Sequence, residues 1–372
     1  MNDFIPVNQP LLDGNEKKYL QECIDSGWIS SEGPFVKKFE ESFASRAGRR
    51  HGIAVTNGTA ALEAAVRALD IGNGDEVIMP SFTIISCAAA IVRNGAVPVV
   101  VDCLPDTWNM DVSKIESKIT RKTKAIMAVH IYGLPVDMDP LLEIARKHGL
   151  KVIEDAAEAI GLTYKGRQCG SMGDVSVFSF YPNKHVTTGE GGMILTDSTE
   201  IAEKSRSLRD LCFIPGQRFV HKELGWNLRM TNMQAALGVA QLERLDVHIG
   251  KKREIGRKYD GLLRNVSGIQ IPLSSTDYAE NIYWVFGVVL ADNIPFDAKK
   301  AMDMLAEAGI GTRPYFWPMH EQPVLREKGL FKNEKHPVSE NIARRGFYVP
   351  SGLAISDGQI QKVADSLVKI LS

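Results

Sequence analysis

Two stretches of the sequence place a chemically reactive side chain at the end of an apolar strand pattern. In the first, Lys151 to Ala159 (KVIEDAAEA), an apolar strand ends on Glu154 and Asp155; in the second, Val175 to Thr196, an apolar and aromatic run is followed by turn residues and Lys184. Open α/β sheets place their chemistry at strand ends. A desolvated lysine amine can attack an aldehyde, and a nearby carboxylate can hold a proton. Taken singly, the lysine could be a solvated charge and the carboxylate a helix cap.

The elements that would position these residues alternate between strand and helix patterns. Strands are predicted over 52–56, 76–79, 97–101, 124–130 and 151–154, and helices over 59–69, 84–93, 111–119 and 138–148. Such alternation predicts crossover connections and a mainly parallel, doubly wound sheet with helices on both faces. The continuous apolar run over 97–101 is typical of a strand that is covered on both faces.

The C-terminal part of the chain has a different pattern. A long helix is predicted over 230–244 and a further helix over 251–263, followed by a strand over 283–290 and helices over 298–308 and 359–371. We therefore expect two domains: a large α/β domain with an N-terminal arm over 1–245, and a small α+β domain over 246–372.

The paired motifs together resemble the DegT/DnrJ/EryC1/StrS sugar aminotransferases, which are pyridoxal 5'-phosphate (PLP) enzymes of fold type I. The resemblance rests on Glu154-Asp155, on Phe178-Ser179-Phe180 and on Lys184, which follows Asp155 by 29 residues. It implies that Lys184 binds the PLP aldehyde covalently and that Asp155 contacts the pyridine nitrogen. It also implies that Glu158 reaches the phenolic oxygen; many relatives have Gln here, whereas perosamine-type members carry Glu.

A phosphate site is predicted where a strand turns into a helix at Asn57, Gly58 and Thr59. Free backbone N–H groups and the helix dipole favour an anion at such a position, although Asn-Gly is also an ordinary turn. The resemblance adds the Ser179 hydroxyl and Asn227, which in the family reaches the phosphate from the neighbouring subunit and so implies a homodimer. Ile84 occupies the place of an aromatic residue that usually stacks on the PLP ring, so either Ile84 or Phe82 would cover that ring.

The resemblance also implies the two substrates. Glutamate would donate an amino group to a nucleotide-linked 4-keto-6-deoxy sugar, in the perosamine-type case to C4 of GDP-4-keto-6-deoxymannose for O-antigen and lipopolysaccharide biosynthesis. Substrate contacts are expected from Trp28, His130, Arg229, Arg313, Tyr315 and His320, with Arg218 and His221 as further cations for the diphosphate. The aromatic residues could equally fill core gaps, and His130 could be a structural histidine.

Two other reactions remain open at this point. The same family pattern is compatible with C3 or C4 amination of a UDP- or dTDP-linked keto sugar, and Phe219-Val220 departs from the two aromatic residues of close perosamine-type relatives. A PLP-dependent sugar dehydratase would have histidine in place of Lys184; the histidine here is its neighbour, His185. A non-catalytic regulator would have lost Lys184 or Asp155.

Composition excludes several other classes of protein. Lys and Arg number 44 against 45 Asp and Glu in 372 residues, so net charge gives no argument for nucleic acid or a membrane surface. Five scattered cysteines without a C-x-x-C pair indicate neither a disulfide framework nor a metal site. The N-terminal residues lack a basic segment followed by an apolar core, so we expect a cytoplasmic enzyme.

Overall fold

A computed structural model describes residues 4–214, 216–217 and 219–371. The α-helices are α1 (Glu16–Ser26), α2 (Pro34–Arg46), α3 (Gly58–Ala68), α4 (Ile85–Arg93), α5 (Met138–His148), α6 (Thr199–Arg209), α7 (Asn232–Leu242), α8 (Leu245–Leu263), α9 (Ala298–Glu307), α10 (Pro323–Glu327), α11 (Pro337–Arg345) and α12 (Asp357–Leu371). The strands are β1 (His51–Val55), β2 (Glu76–Pro80), β3 (Val97–Val101), β4 (Thr123–Val129), β5 (Lys151–Asp155), β6 (Thr163–Tyr164), β7 (Arg167–Gln168), β8 (Val175–Ser179), β9 (Gly192–Thr196), β10 (Ile269–Gln270), β11 (Phe286–Leu290), β12 (Arg313–Pro314) and β13 (Gly346–Val349).

A seven-stranded sheet forms the centre of the molecule, in the order β1-β9-β8-β5-β4-β2-β3. Only β9 runs against its neighbours within this sheet, so the predicted mainly parallel α/β architecture is confirmed. Successive side chains of a strand point to opposite faces, and neighbouring residues of β2 accordingly join two different clusters. Ile78 belongs to the cluster that also contains residues of α2 and α7, whereas Val77 and Met79 belong to the cluster that contains residues of α3 and α4.

A second sheet of four antiparallel strands, in the order β10-β11-β13-β12, lies in the C-terminal part. Helix α8 connects the two regions: Leu245 and Ile249 pack in a cluster of the large sheet, whereas Ile255 and Tyr259 pack with β11. The division into domains at residue 245 remains a prediction.

Two element predictions differ from the structure. The segment predicted as a helix over 111–119 forms two 3-10 turns, Val112–Lys114 and Glu116–Lys118. In this segment only Val112 and Ile115, three residues apart, are buried, and that spacing suits the 3-10 repeat. The strand predicted from residue 283 begins at Phe286, because Tyr283 has a left-handed φ of 48° that a strand does not allow.

The structure also bears on two predictions from composition. None of the helices within the described ranges is both long and apolar enough to cross a membrane. The five cysteines are all buried and form no disulfide with one another.

Candidate active site

A cavity of about 680 Å³ opens at the carboxyl ends of β5 and β8. Its lining includes most of the residues predicted to bind the cofactor: Asn57, Gly58, Thr59, Ile84, Asp155, Glu158, Ser179 and Lys184. These residues come from four separate parts of the chain. Parallel strands bring them together because the carboxyl ends of such strands meet at one edge of the sheet.

Lys184 lies in the loop after β8, where its side chain is 9% exposed. Its Nζ atom lies 3.9 Å from Glu158 Oε1 and 3.7 Å from the centre of the Trp284 ring. Burial lowers the pKa of Lys184, although the charges of Glu158 and Asp155 oppose this effect. The amine is therefore shifted toward its neutral, nucleophilic form.

Glu154 and Asp155 are adjacent in β5, but the pleat of the strand directs their side chains to opposite faces. The Glu154 carboxylate accepts hydrogen bonds from the backbone N–H groups of Gly170, Met172 and Gly173 at 2.6–2.7 Å. Although burial alone would raise the pKa of Glu154, its hydrogen bonds, first of all with His130, lower that pKa overall. Glu154 thus anchors the end of β5 inside the protein, while Asp155 faces the cavity.

Asp155 is 3% exposed and accepts a hydrogen bond at Oδ1 from the backbone N–H of Ala157, at 3.1 Å. Burial raises the pKa of Asp155, and the hydrogen bonds from Ala157 and Cys87 and the charge of Lys184 counteract this rise. A buried cationic partner would favour the ionised carboxylate still further. A protonated pyridine nitrogen is such a partner.

Glu158 lies one turn beyond Asp155 and accepts a hydrogen bond from the backbone N–H of Tyr132 at 2.9 Å. Burial raises the pKa of Glu158 to about 8, although the positive charge of Lys184 opposes this shift. The carboxyl group is therefore largely protonated at neutral pH and can donate a hydrogen bond into the cavity.

The N-terminus of α3 forms another wall of the cavity. The Asn57 side chain caps this helix by accepting a hydrogen bond from the Ala60 N–H at 2.8 Å. A Cβ atom on Gly58 would lie only 2.8 Å from the Cβ of Ser179, so the close approach of α3 to β8 requires glycine. The Thr59 and Ser86 hydroxyls lie 2.8 Å apart beside this helix terminus. Backbone N–H groups and hydroxyls together can bind an anion here.

The structure assigns different positions to the two candidates for the ring contact. Ile84 lines the cavity and is 43% exposed, whereas Phe82 is fully buried beneath it and packs against Tyr132 and Phe316. Of the two candidates, the aliphatic Ile84 is thus the one that reaches the cavity. On another side of the cavity lie Trp284, Phe316 and Tyr348, three residues that our sequence analysis did not assign to the cofactor or substrate site. The consecutive aromatic residues Tyr315-Phe316-Trp317 are a local signal for Phe316 alone.

Three residues predicted to contact the substrate are buried outside the cavity lining. His130 is fully buried, with Nε2 at 3.3 Å from Glu154 and Nδ1 accepting from the Val136 N–H at 3.2 Å. His320 is also fully buried, with its ring nitrogens at 2.8 Å from Ser81 Oγ and 3.0 Å from Glu340. The ring nitrogens of both histidines are occupied by protein groups of this chain, and their contact with substrate stays a prediction. Tyr315 is 3% exposed, packs against Phe82 and Tyr132, and does not line the cavity.

The other predicted residues lie on the surface outside this cavity. Trp28 is 50% exposed, Arg313 and His221 are exposed, and Arg229 binds Asp210 and Asn227 at 3.0 Å each. Asn227 is exposed and likewise does not line the cavity of its own chain. Arg218 is outside the described residues.

The chain is similar to known proteins over nearly its whole length. The family model of the DegT/DnrJ/EryC1/StrS aminotransferases matches residues 10–368. The chain belongs to this family. The GDP-perosamine synthase of Caulobacter vibrioides is 42% identical, with 99% of this chain and 98% of that protein covered. The GDP-perosamine synthase of Escherichia coli O157:H7 is also 42% identical, with 99% of each chain covered. The solved structure of DesI, in the presence of its TDP-sugar product, has a TM-score of 0.89 and 32% identity over 99% of this chain and 93% of DesI.

Family membership makes this protein a PLP-dependent sugar aminotransferase, and the cavity has the groups that PLP requires. A buried lysine with a lowered pKa lies beside a buried carboxylate, and a helix N-terminus approaches both. Asn57, Gly58 and Thr59 at that terminus line the cavity, where their backbone can meet a phosphate. The residues present therefore fit the cofactor.

Proposed function

We propose that this enzyme transfers the amino group of glutamate to C4 of GDP-4-keto-6-deoxymannose and so forms GDP-perosamine. The observation that carries the proposal is the similarity to two GDP-perosamine synthases, each 42% identical over nearly the whole of both chains. Colinearity at this level, without large insertions in either chain, supports conservation of the substrate. The cytoplasm, where nucleotide sugars are made, is the compartment we assign to the enzyme.

The residues of the cavity have distinct roles in this proposal. PLP, when bound, supplies an aldehyde that bonds reversibly to amines and a pyridine ring that accepts electrons. Lys184 would hold PLP, take a proton from the α-carbon of glutamate and deliver one to the sugar carbon, because burial favours its neutral amine. Asp155 would keep a proton on the ring nitrogen, and Glu158 would donate a hydrogen bond to the phenolic oxygen.

Two copies of the chain would share each site. Asn227 is exposed and does not line the cavity of its own chain, which suits a side chain that completes the phosphate site of a partner subunit. The Arg229 guanidinium holds the Asn227 side chain through a 3.0 Å hydrogen bond from Nε to Oδ1. Mixing inactive Lys184→Ala chains with inactive Asn227→Ala chains should restore part of the activity. No restoration after demonstrated subunit exchange would place Asn227 outside the partner's site.

The substrate assignment can be tested directly. Purified protein loaded with PLP would be given glutamate and, separately, GDP-, UDP- and dTDP-linked 4-keto-6-deoxy sugars, with Lys184→Ala protein as the blank. We expect turnover of the GDP sugar, with an amino group at C4 shown by mass and NMR. Turnover of only a UDP or dTDP sugar, or amination at C3, would refute the perosamine assignment and leave the aminotransferase activity intact. Loss of a hydroxyl without gain of nitrogen would indicate a dehydratase.

A further inference from the structure

A thiol and a hydroxyl from the segment that leads into α4 lie next to Asp155. Cys87 is in the first turn of α4, is fully buried, and has its Sγ atom 3.2 Å from Asp155 Oδ2. The Thr83 Oγ1 atom lies 3.5 Å from the same sulfur. Since Ala157 N–H already binds Oδ1, both oxygens of the Asp155 carboxylate have a protein donor.

The direction of the two hydrogen bonds follows from the chemistry of the groups. Burial and the neighbouring Asp155 charge raise the pKa of the Cys87 thiol well above its ordinary value, so the thiol keeps its proton. A thiol has one hydrogen, and an ionised carboxylate accepts hydrogen bonds without donating any. The thiol therefore donates to Asp155, and the Thr83 hydroxyl donates to the sulfur. The result is a chain of donors that ends on the carboxylate.

We propose that Cys87, supported by Thr83, is a positioning residue that orients the Asp155 carboxylate and tunes its basicity toward the pyridine nitrogen of PLP. This rests on the role proposed above for Asp155. A thiol is a weak hydrogen-bond donor. It therefore holds one oxygen of Asp155 in place, while the carboxylate keeps most of its negative charge for the interaction with the pyridine nitrogen. Three other titratable groups interact with Asp155. Lys184 and His130 favour the charged form of Asp155, and the Asp155 charge in turn raises the pKa of Glu158.

The chain provides a matched control for this thiol. Cys103 is 1% exposed and its Sγ atom lies 3.5 Å from the Ser339 hydroxyl, and burial raises its pKa to about 12. It does not line the cavity. Replacing Cys103 by alanine therefore reproduces the loss of a buried thiol without touching Asp155.

The test uses the PLP-loaded protein without sugar, so it does not depend on which sugar is the substrate. The pKa of the covalent linkage between Lys184 and PLP is read from its visible absorption band during a pH titration. We expect Cys87→Ala to shift this pKa, Cys87→Ser to restore most of the wild-type value, and Cys103→Ala to leave it unchanged. With substrates, Cys87→Ala should lower kcat about fivefold, the effect of losing a hydrogen bond of about 1 kcal/mol, with little change in KM.

A double-mutant cycle with Asp155→Asn separates this proposal from the role of Asp155 itself. If Cys87 acts through the carboxylate, Cys87→Ala will not shift the pKa further in the Asp155→Asn background. The proposal for Cys87 is overturned if Cys87→Ala shifts the pKa of the linkage equally in the wild-type and Asp155→Asn proteins, or if Cys87→Ala alone does not shift this pKa. In either case Asp155 keeps its role. If Asp155→Asn itself leaves the pKa unchanged, the assignment of Asp155 fails, and the proposal for Cys87 fails with it.

Discussion

Glu158 should make the stability of the PLP-free protein depend on pH, and Glu158→Gln should remove that dependence. Burial raises the pKa of Glu158 from its ordinary 4.5 to about 8 in the folded protein. The folded state therefore binds more protons than the unfolded state between these two values, and the free energy of unfolding falls as the pH rises through them. Glutamine has nearly the same shape and can accept the same hydrogen bond from the Tyr132 N–H.

The magnitude follows from the two pKa values. Each tenfold change in proton affinity corresponds to about 1.4 kcal/mol, so the rise from 4.5 to about 8 amounts to about 5 kcal/mol. Relative to the variant, the wild-type protein should thus lose about 5 kcal/mol of stability between about pH 4.5 and pH 9, and most of this loss should occur before about pH 8.

Urea denaturation of both PLP-free proteins across this pH range would measure the difference in unfolding free energy. Glu143→Gln is a suitable control, because Glu143 is an exposed carboxylate on α5. The difference in unfolding free energy between wild type and Glu143→Gln should not change with pH. The reasoning would be refuted if the difference in unfolding free energy between wild type and Glu158→Gln changed by less than ~1 kcal/mol across this pH range. Such a result would mean that burial does not hold Glu158 protonated.

Three further predictions concern the cofactor site. Borohydride reduction of the PLP-loaded protein followed by peptide mapping should label Lys184, and Lys184→Ala should abolish turnover while the protein stays folded; a label on Lys165 or Lys222 would contradict the assignment. Asp155→Asn should lower kcat by more than roughly tenfold, above about 1.4 kcal/mol of barrier, with a much smaller effect on stability; a normal rate and pH profile would leave Asp155 only a structural role. Gly58→Ala should weaken PLP binding in a fluorescence titration, since its Cβ would lie 2.8 Å from Ser179 Cβ; unchanged affinity would show that the helix N-terminus does not hold the phosphate.

The sequence by itself determined the sheet architecture and the position of its reactive edge. Continuous apolar runs such as Val97–Val101 predict a strand covered on both faces, and alternation with helices predicts parallel crossovers. In the structure this strand lies at the edge of the sheet, and its first residue, Val97, is exposed. Those two rules place Asp155 and the loop after β8 at one edge of the sheet. The structure has both in one cavity, since local patterns control which residues form each strand and chain connectivity controls its direction.

Only the tertiary structure decided which side chains meet at that edge. The sequence shows Glu154 and Asp155 as equivalent neighbours, but the pleat directs one to buried backbone donors and the other to the cavity. Trp284 reaches Lys184 from 100 positions away, and Cys87 reaches Asp155 from 68. No local pattern encodes such contacts, because they depend on how α4 and the C-terminal sheet pack against the strand ends. For the same reason His130 and His320, whose sequence context suggested substrate contacts, have their ring nitrogens bound by protein groups instead.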